Sequence, residues 1–452
     1  YGGLQDNGVW VGPSTYKASM RWQNSGQYPY KSIMGGDGMQ IAVDTRDNNT
    51  VYTGYQFGNY YRLNQQTGDQ KYITPKHELG ERPLRWNWQT PIHLSVHNQD
   101  ILYMGAHKLY RSFNQGEDFT AISEDLTTGG KKGDVAYSTL TAIHESPLKF
   151  GLLYAGSDDG YLHRSKDGGN TWTRISDAFP PNLWISRVQA SAHDESKVYV
   201  ALNGYRWDDF AAYLYRSDDY GETWQRIGSD LPFEPVNVVK EDPVNPAILY
   251  VGTDHGLYVS LDRGDSFMTM DHDLPATAVH DVVVHPRENE LIVATHGRSF
   301  YLADVQHLQQ IKPEVMEKAL YAFDLAEIKH RKSWGNPFSQ WAKPNDPKAK
   351  IPYYVNSPGE VTINIKTEEG TLLQSLKAKA AKGLNYADYD LTHVESAQKA
   401  YEEVLNAELK EGERRQKVKA AKNGQYYLHP GKYVVEINKD GVTESKTLAI
   451  KK

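Results

Sequence analysis

The chain has 452 residues, no cysteine, a net charge of −7 from 50 basic and 57 acidic side chains, and 12% aromatic residues. Lack of cysteine excludes disulfides and thiolate metal sites, and the mixed charge excludes the concentrated basic face that nucleic acid requires. No apolar run approaches the roughly 18–20 residues of a membrane-spanning helix, and with Tyr1 at its start the chain reads as the mature form or a fragment of a soluble protein of two or three domains.

In chain order, a short partial element is expected over 1–30, followed by units near 35–78, 85–127, 138–177, 184–229 and 236–271 and strands over 279–304. The units share a strand phrase: TVYTG at Thr50, ILYMG at Ile101, LLYAGSDDG at Leu152, KVYVALNG at Lys197, ILYVGTDHG at Ile248 and LIVATHG at Leu291. A second repeat is an eight-residue turn, SFNQGEDF at Ser112, SKDGGNTW at Ser165, SDDYGETW at Ser217 and SLDRGDSF at Ser260, with starts 53, 52 and 43 residues apart. Four short strands per interval is the scale of a propeller blade, and unequal intervals mark loop insertions. The count of five full units and two partial ends predicts about seven blades over 1–305.

The turn chemistry explains why the letters repeat. In S-x-D-x-G-x-T-W an Asp carboxylate accepts backbone N–H groups, a Gly takes φ > 0, and the aromatic packs back on the sheet. Ser165, Asp167, Gly169 and Trp172, then Ser217, Asp219, Gly221 and Trp224, then Ser260, Asp262 and Gly264 are therefore read as structural.

Beyond Asp304 the pattern changes. A Lys/Pro-rich linker is expected over 306–350, and strands of alternating polarity over 351–452 predict an immunoglobulin-like β-sandwich with a charged helical insertion over about 393–421.

In a propeller, the segment leading into the innermost strand and the loop joining strands two and three share one face, and the repeated turns lie on the other. The first face is where a site is expected. It carries Asp37 in GGDG, Arg85, Asn87 and Trp88 in RWNW, Trp184 and Arg187 in NLWISR, and Tyr205, Arg206, Asp208 and Asp209 in NGYRWDDF, with His255, His280, His296 and Arg298 from other blades. Aromatics, carboxylates and Arg converging on a concavity suit a sugar or peptide. No His spacing marks a metal site and no nucleotide motif is present, so neither metal nor cofactor is expected.

The turns resemble the Asp-box, or BNR, repeats of sialidases, sortilins and xyloglucanases. With YGGLQDNG, GGDGMQIAVD, RWNWQTPIHLS and THGRS, nearly the whole chain resembles secreted BNR-repeat propeller proteins of Bacteroidota, labelled sortilin-like or glycosyl hydrolase. The resemblance implies a secreted, periplasmic or cell-surface protein that binds a glycan or a protein partner as a scaffold, or as a subunit of a surface complex. A cysteine-free chain lacks the module that follows sortilin propellers, and no sialidase FRIP-like segment is present. Similarity to xyloglucanases implies the alternative, a two-carboxylate glycoside hydrolase with Asp37 as one group and the other from upstream sequence or from Asp208 or Asp209.

Overall fold

The computed structural model describes all residues except 17–25, 27, 132–134, 271–272, 408 and 410–414. Two compact units divide it, Tyr1–Asp304 and Val305–Lys452.

The first unit is a β-propeller of seven antiparallel sheets. Blade 1 comprises Gly2–Leu4, Gly8–Val11 and Lys31–Met34, and blade 2 Ala42–Val43, Thr50–Tyr55, Asn59–Asn64 and Gln70–Tyr72. Blade 3 comprises Ile92–Leu94, Leu102–Gly105, Leu109–Ser112 and Thr120–Ala121, and blade 4 Leu140–Glu145, Leu153–Ser157, Leu162–Ser165 and Thr173–Arg174. Blade 5 comprises Trp184–Ala190, Val198–Gly204, Asp209–Ser217 and Gln225–Ile227, and blade 6 Val236–Glu241, Leu249–Thr253, Leu257–Ser260 and Met268–Thr269. Blade 7 has Val279–His285, Glu290–Thr295 and Phe300–Asp304. The ring closes between blades 7 and 1, where the Phe300 ring occupies the space a Cβ on Gly2 would need and Ser14 Oγ donates to Glu290 at 3.2 Å.

The recurring strand phrase forms the second strand of its blade. Tyr52, Tyr103, Tyr154, Tyr199 and Tyr250 occupy equivalent places there and are fully buried. Two residues on, a glycine in blades 2, 3, 4 and 6 and Ala201 in blade 5 keep this position small, and a Cβ at Gly156 would lie 2.4 Å from the Ile185 side chain of blade 5. In blades 4 to 7 the register of the innermost strand shifts near its start, between Leu140 and Ala142, Ile185 and Arg187, Val236 and Val238, and Val279 and Asp281. Such bulges re-aim side chains. Here the skipped Thr141 and Ser186 turn their hydroxyls onto the Ile185 and Val236 carbonyls of the next blade, at 2.8 Å each.

The four turns close as their residues dictate. Ser165 Oγ accepts the Gly169 N–H at 2.8 Å and donates to Asp167 Oδ1 at 2.8 Å, while Asp167 accepts the Thr171 N–H at 2.9 Å and hydroxyl at 2.7 Å. Gly169, Gly221 and Gly264 all take φ near +90°, a region open to Gly at little cost. The aromatic reaches the preceding blade: Trp172 Nε1 donates to Ile122 O at 2.7 Å and Trp224 Nε1 to Ile175 O at 2.8 Å.

The second unit packs a three-stranded sheet, Leu320–Ala322, Ala349–Val355 and Gly383–Tyr389, on a five-stranded one, Ile328–Lys329, Val442–Lys451, Gly431–Lys439, Gly359–Thr367 and Leu372–Ala380. Val361, Ile363 and Ile365 alternate inward and meet Tyr353, Tyr433 and Val435 in one core. Two expectations differ from this. The stretch 306–350, expected as a linker, supplies strands to both sheets, because Leu320, Ala322 and Trp334 are buried in that core. Among the described residues of the expected helical insertion only Gln398–Leu405 is α-helical, preceded by a 3-10 turn at Glu395–Ala397. Tyr401 buries this helix, and the chain folds back along it, with Val418 N–H on Glu402 Oε1 at 2.9 Å and Gln398 Nε2 on Val418 O at 2.8 Å. Residues 408 and 410–414 of that insertion lie outside the described residues.

Candidate functional site

The loops between strands two and three, with the segments leading into strand one, form the loop face of the propeller. Asp37 sits there, half-buried, in a tight crossover from blade 1 to blade 2. Gly36 has φ +81°, and a Cβ on it would lie 2.8 Å from Tyr55 Cβ. Asp37 Oδ1 accepts the Asp6 N–H at 2.9 Å, and the Asp37 N–H donates to Gln56 Oε1 at 3.2 Å. Its Oδ2 has no protein partner among the described residues. Asp37 therefore holds the blade 1 loop with one oxygen and the blade 2 loop with its N–H, and keeps the other oxygen available.

Arg85 and Asn87 are turned inward. Arg85 donates to Ser138 O at 3.1 Å and pairs with Asp125 at 2.5 Å. Asn87, 2% exposed, donates to Thr139 Oγ1 at 2.9 Å and to Asp158 Oδ2 at 3.3 Å. Asp158 also accepts the Thr139 N–H at 2.9 Å and hydroxyl at 2.7 Å. Burial, helped by the neighbouring Asp159 charge, outweighs these bonds and pushes the Asp158 carboxyl up to about 6. Asp159 is engaged by Ser157 and by Thr128. These groups form a buried lock between blades 3 and 4, with no polar atom of Asn87 left for a ligand.

What the loop face offers outward is aromatic. Phe57, Trp88, Tyr205, Trp207 and Phe210 are 49%, 37%, 50%, 42% and 41% exposed. Phe57 N–H donates to Trp88 O at 3.1 Å, which places these two residues side by side. In blade 5 the Arg206 guanidinium lies 3.8 Å over the half-buried Trp184 ring and 5.4 Å from the Tyr205 ring, a cation–π stack that stiffens the loop. Asp208 is exposed at the loop tip with φ +55°. Asp209 is held by the Tyr213 hydroxyl at 2.8 Å and the Ala211 N–H at 3.1 Å.

The histidines disperse. His255 Nδ1 lies 3.5 Å from Glu234, while the His280 and His296 rings stack at 5.2 Å and burial keeps His280 below the usual imidazole range. His296 and Arg298 lie exposed in the blade 7 turn. Among the described residues no group of three or more His, Cys, Asp or Glu could hold a metal ion. Arg187 departs from its expected position: the bulge at Ser186 turns it to the propeller axis, where it pairs with Asp281 at 2.7 Å. Sequence reading missed Phe57, which lies in the strand two to three connection YQFGN, and Phe210, which opens the third strand just after the connection NGYRWD.

No family model matches the chain. A 146-residue stretch is 27% identical to xyloglucanase Xgh74A of Acetivibrio thermocellus, covering 29% of this chain and 17% of that protein. A match of the same length and identity to a xyloglucanase of a Paenibacillus species covers 14% of it, so the aligned part spans less than a fifth of either curated relative. Among solved structures, a GH74 enzyme of Niastella koreensis superposes with a TM-score of 0.46 at 15% identity over 90% of this chain and 65% of that one. The GH74 xyloglucanase of Xanthomonas campestris gives 0.45 at 13%, over 90% and 66%. By sequence, this propeller chain is distantly similar to xyloglucanases.

Proposed function

We propose that the chain engages a β-glucan of the xyloglucan class across its loop face, as part of an extracellular glycoside hydrolase in which Asp37 is one of two carboxylates. The observation that carries this reading is the set of exposed rings, Phe57, Trp88, Tyr205, Trp207 and Phe210, on the face that also holds Asp37. Sugar rings present C–H faces that pack on aromatic plates, and water-exposed aromatics in such number are otherwise costly. The distant similarity to xyloglucanases supports hydrolysis over a purely scaffolding role.

Hydrolysis requires an acid and a base, or an acid and a nucleophile, on opposite sides of the scissile bond. Asp209 is committed to Tyr213 and Ala211, so the exposed Asp208 or a carboxylate of a second propeller completes the pair. The test is release of reducing ends from xyloglucan by the chain and by Asp37→Asn. The reading expects at least a hundredfold loss with binding retained. Measurable and equal release by both proteins would remove Asp37 from the chemistry, and absence of both binding and release would end the reading.

A further inference from the structure

Along the axis of the propeller lies a solvent-open cavity of about 210 Å³, lined by the innermost strands of blades 3 to 7 and by Gln40 and Ile41 of the segment leading into blade 2. Its walls are unusual in their hydrogen-bonding balance. Lys240 Nζ donates to Gln189 Oε1 at 3.3 Å and, among the described residues, has no carboxylate within ion-pair distance. Arg187 gives one nitrogen to Asp281, and its buried Nε has no partner. His93 Nε2 accepts the Glu145 N–H at 3.4 Å, and His144 Nδ1 accepts the Ala190 N–H at 3.3 Å. In each ring the nitrogen used as acceptor carries no hydrogen, so the other, His93 Nδ1 and His144 Nε2, carries the N–H. Neither of those has a protein acceptor among the described residues. The one carboxylate of the cavity, Asp281, is already paired. Donors therefore outnumber acceptors around this opening, and the buried Arg187 Nε has nothing to offset its desolvation.

We propose that this axial cavity is a binding site for a small oxyanion of the sulfate or phosphate type, held by Lys240, Arg187 and the N–H groups of His93 and His144. Such an ion supplies several acceptors in one compact group and offsets the two cations. With each water taking about 30 Å³, the cavity has room for the ion and a few waters. Among the described residues none of blade 1 lines the cavity, and the segment leading into blade 2 contributes the neutral Gln40. The groups that set the pH response are therefore His93, His144, Arg187, Lys240 and Asp281. Burial holds His93 down to about 4 and His144 well below its ordinary value. An anion beside the rings favours their protonated form, so affinity rises as pH falls.

The experiment is calorimetric titration of the whole chain with sodium sulfate at constant ionic strength, with sodium chloride as control. Saturable one-to-one binding is expected, at least tenfold weaker in Lys240→Met and tighter at pH 6 than at pH 8. His93→Gln, which removes one ring N–H donor and one titrating group, should weaken binding at pH 6 and reduce the difference between pH 6 and pH 8. Absence of saturable binding to a protein with an intact unfolding transition, or Lys240→Met binding as tightly as the parent, overturns the proposal.

Discussion

At the residue scale, the repeated turn works as a pattern of donors and acceptors and not as a fixed set of letters. In blade 3 the Asp is replaced by Asn114, which still accepts the Asp118 N–H through Oδ1 at 3.0 Å, while its amide donates to Asp118 Oδ2 at 3.1 Å. In the other turns a carboxylate meets a hydroxyl at that place, as Asp219 meets Thr223 at 2.6 Å. Donor and acceptor have changed sides together. Asn114→Asp alone sets two carboxylates against each other and should lower stability by about 1 kcal/mol, and adding Asp118→Thr should restore it. Denaturant midpoints of the four proteins in this cycle measure the coupling. If the double variant is only the sum of the single ones, the exchange of roles is not what holds the turn.

Asp158 yields a pH prediction of opposite sign to the usual carboxylate. Its folded pKa is raised to about 6, so the folded state binds the proton more tightly than the unfolded chain. Its stabilising contribution is full below the unfolded value near 4 and is lost as pH rises to about 6, with a span on the order of 2–3 kcal/mol. Asp158→Asn removes this titration, so the stability difference between parent and variant should fall across that window and level off above it. A difference that stays constant from pH 4 to 7 would show that Asp158 titrates normally.

At the scale of elements, each turn is latched from the preceding blade. Arg62 donates to Gln115 O at 3.0 Å, Arg111 to Gly168 O at 2.7 Å, Arg164 to Tyr220 O at 2.9 Å and Arg216 to Arg263 O at 3.0 Å. These arginines occupy equivalent positions in the third strand, and blade 6 has Val259 there, facing a blade 7 that has no such turn. A second tie has a longer period. Ser95 donates to Glu145 at 2.5 Å and His97 to Ser146 O at 2.9 Å; 96 residues on, Ser191 donates to Glu241 at 2.9 Å and His193 to Asp242 O at 2.8 Å. Blades 3 and 4, and blades 5 and 6, are thereby joined as pairs. Arg164 is 7% exposed and also pairs with Glu222 at 2.8 Å. Arg164→Met should therefore cost about 2 kcal/mol by unpairing the Tyr220 carbonyl, read from chemical unfolding. A loss within error of zero would make the latch ornamental.

The blades themselves were legible because turn residues and buried Tyr recur at nearly fixed intervals, and such repeats depend only on local chemistry. The site was less so, for a physical reason that Arg187 illustrates. Alternation along a strand assigns its side chain to a face, but the bulge at Ser186 changes the parity and sends it to the axis. Asn87 was hidden in the same way: only the neighbouring blade, through Thr139 and Asp158, turns it from a candidate ligand contact into a buried lock. The charged insertion after His393 has good helix formers, yet the helix that contains the buried Tyr401 ends at Leu405. Helical propensity without a buried face did not extend it.

At the scale of the whole molecule, the turn face and the loop face divide the work. The turn face is closed by internal bonds, with Trp172 and Trp224 directed into the preceding blade. The loop face leaves its aromatics in water and its polar groups, Asp37 and Asp208, at loop positions. Among the described residues no helix is long and apolar enough to cross a membrane. The measurement that bears most directly on the account is titration of the intact chain with a xyloglucan oligosaccharide, followed by the quenching of tryptophan fluorescence. Saturable quenching, weakened about five- to tenfold in Trp88→Ala and again in Tyr205→Ala, is the predicted result. Quenching that is absent, or unchanged in both variants, would contradict a glycan site on the loop face.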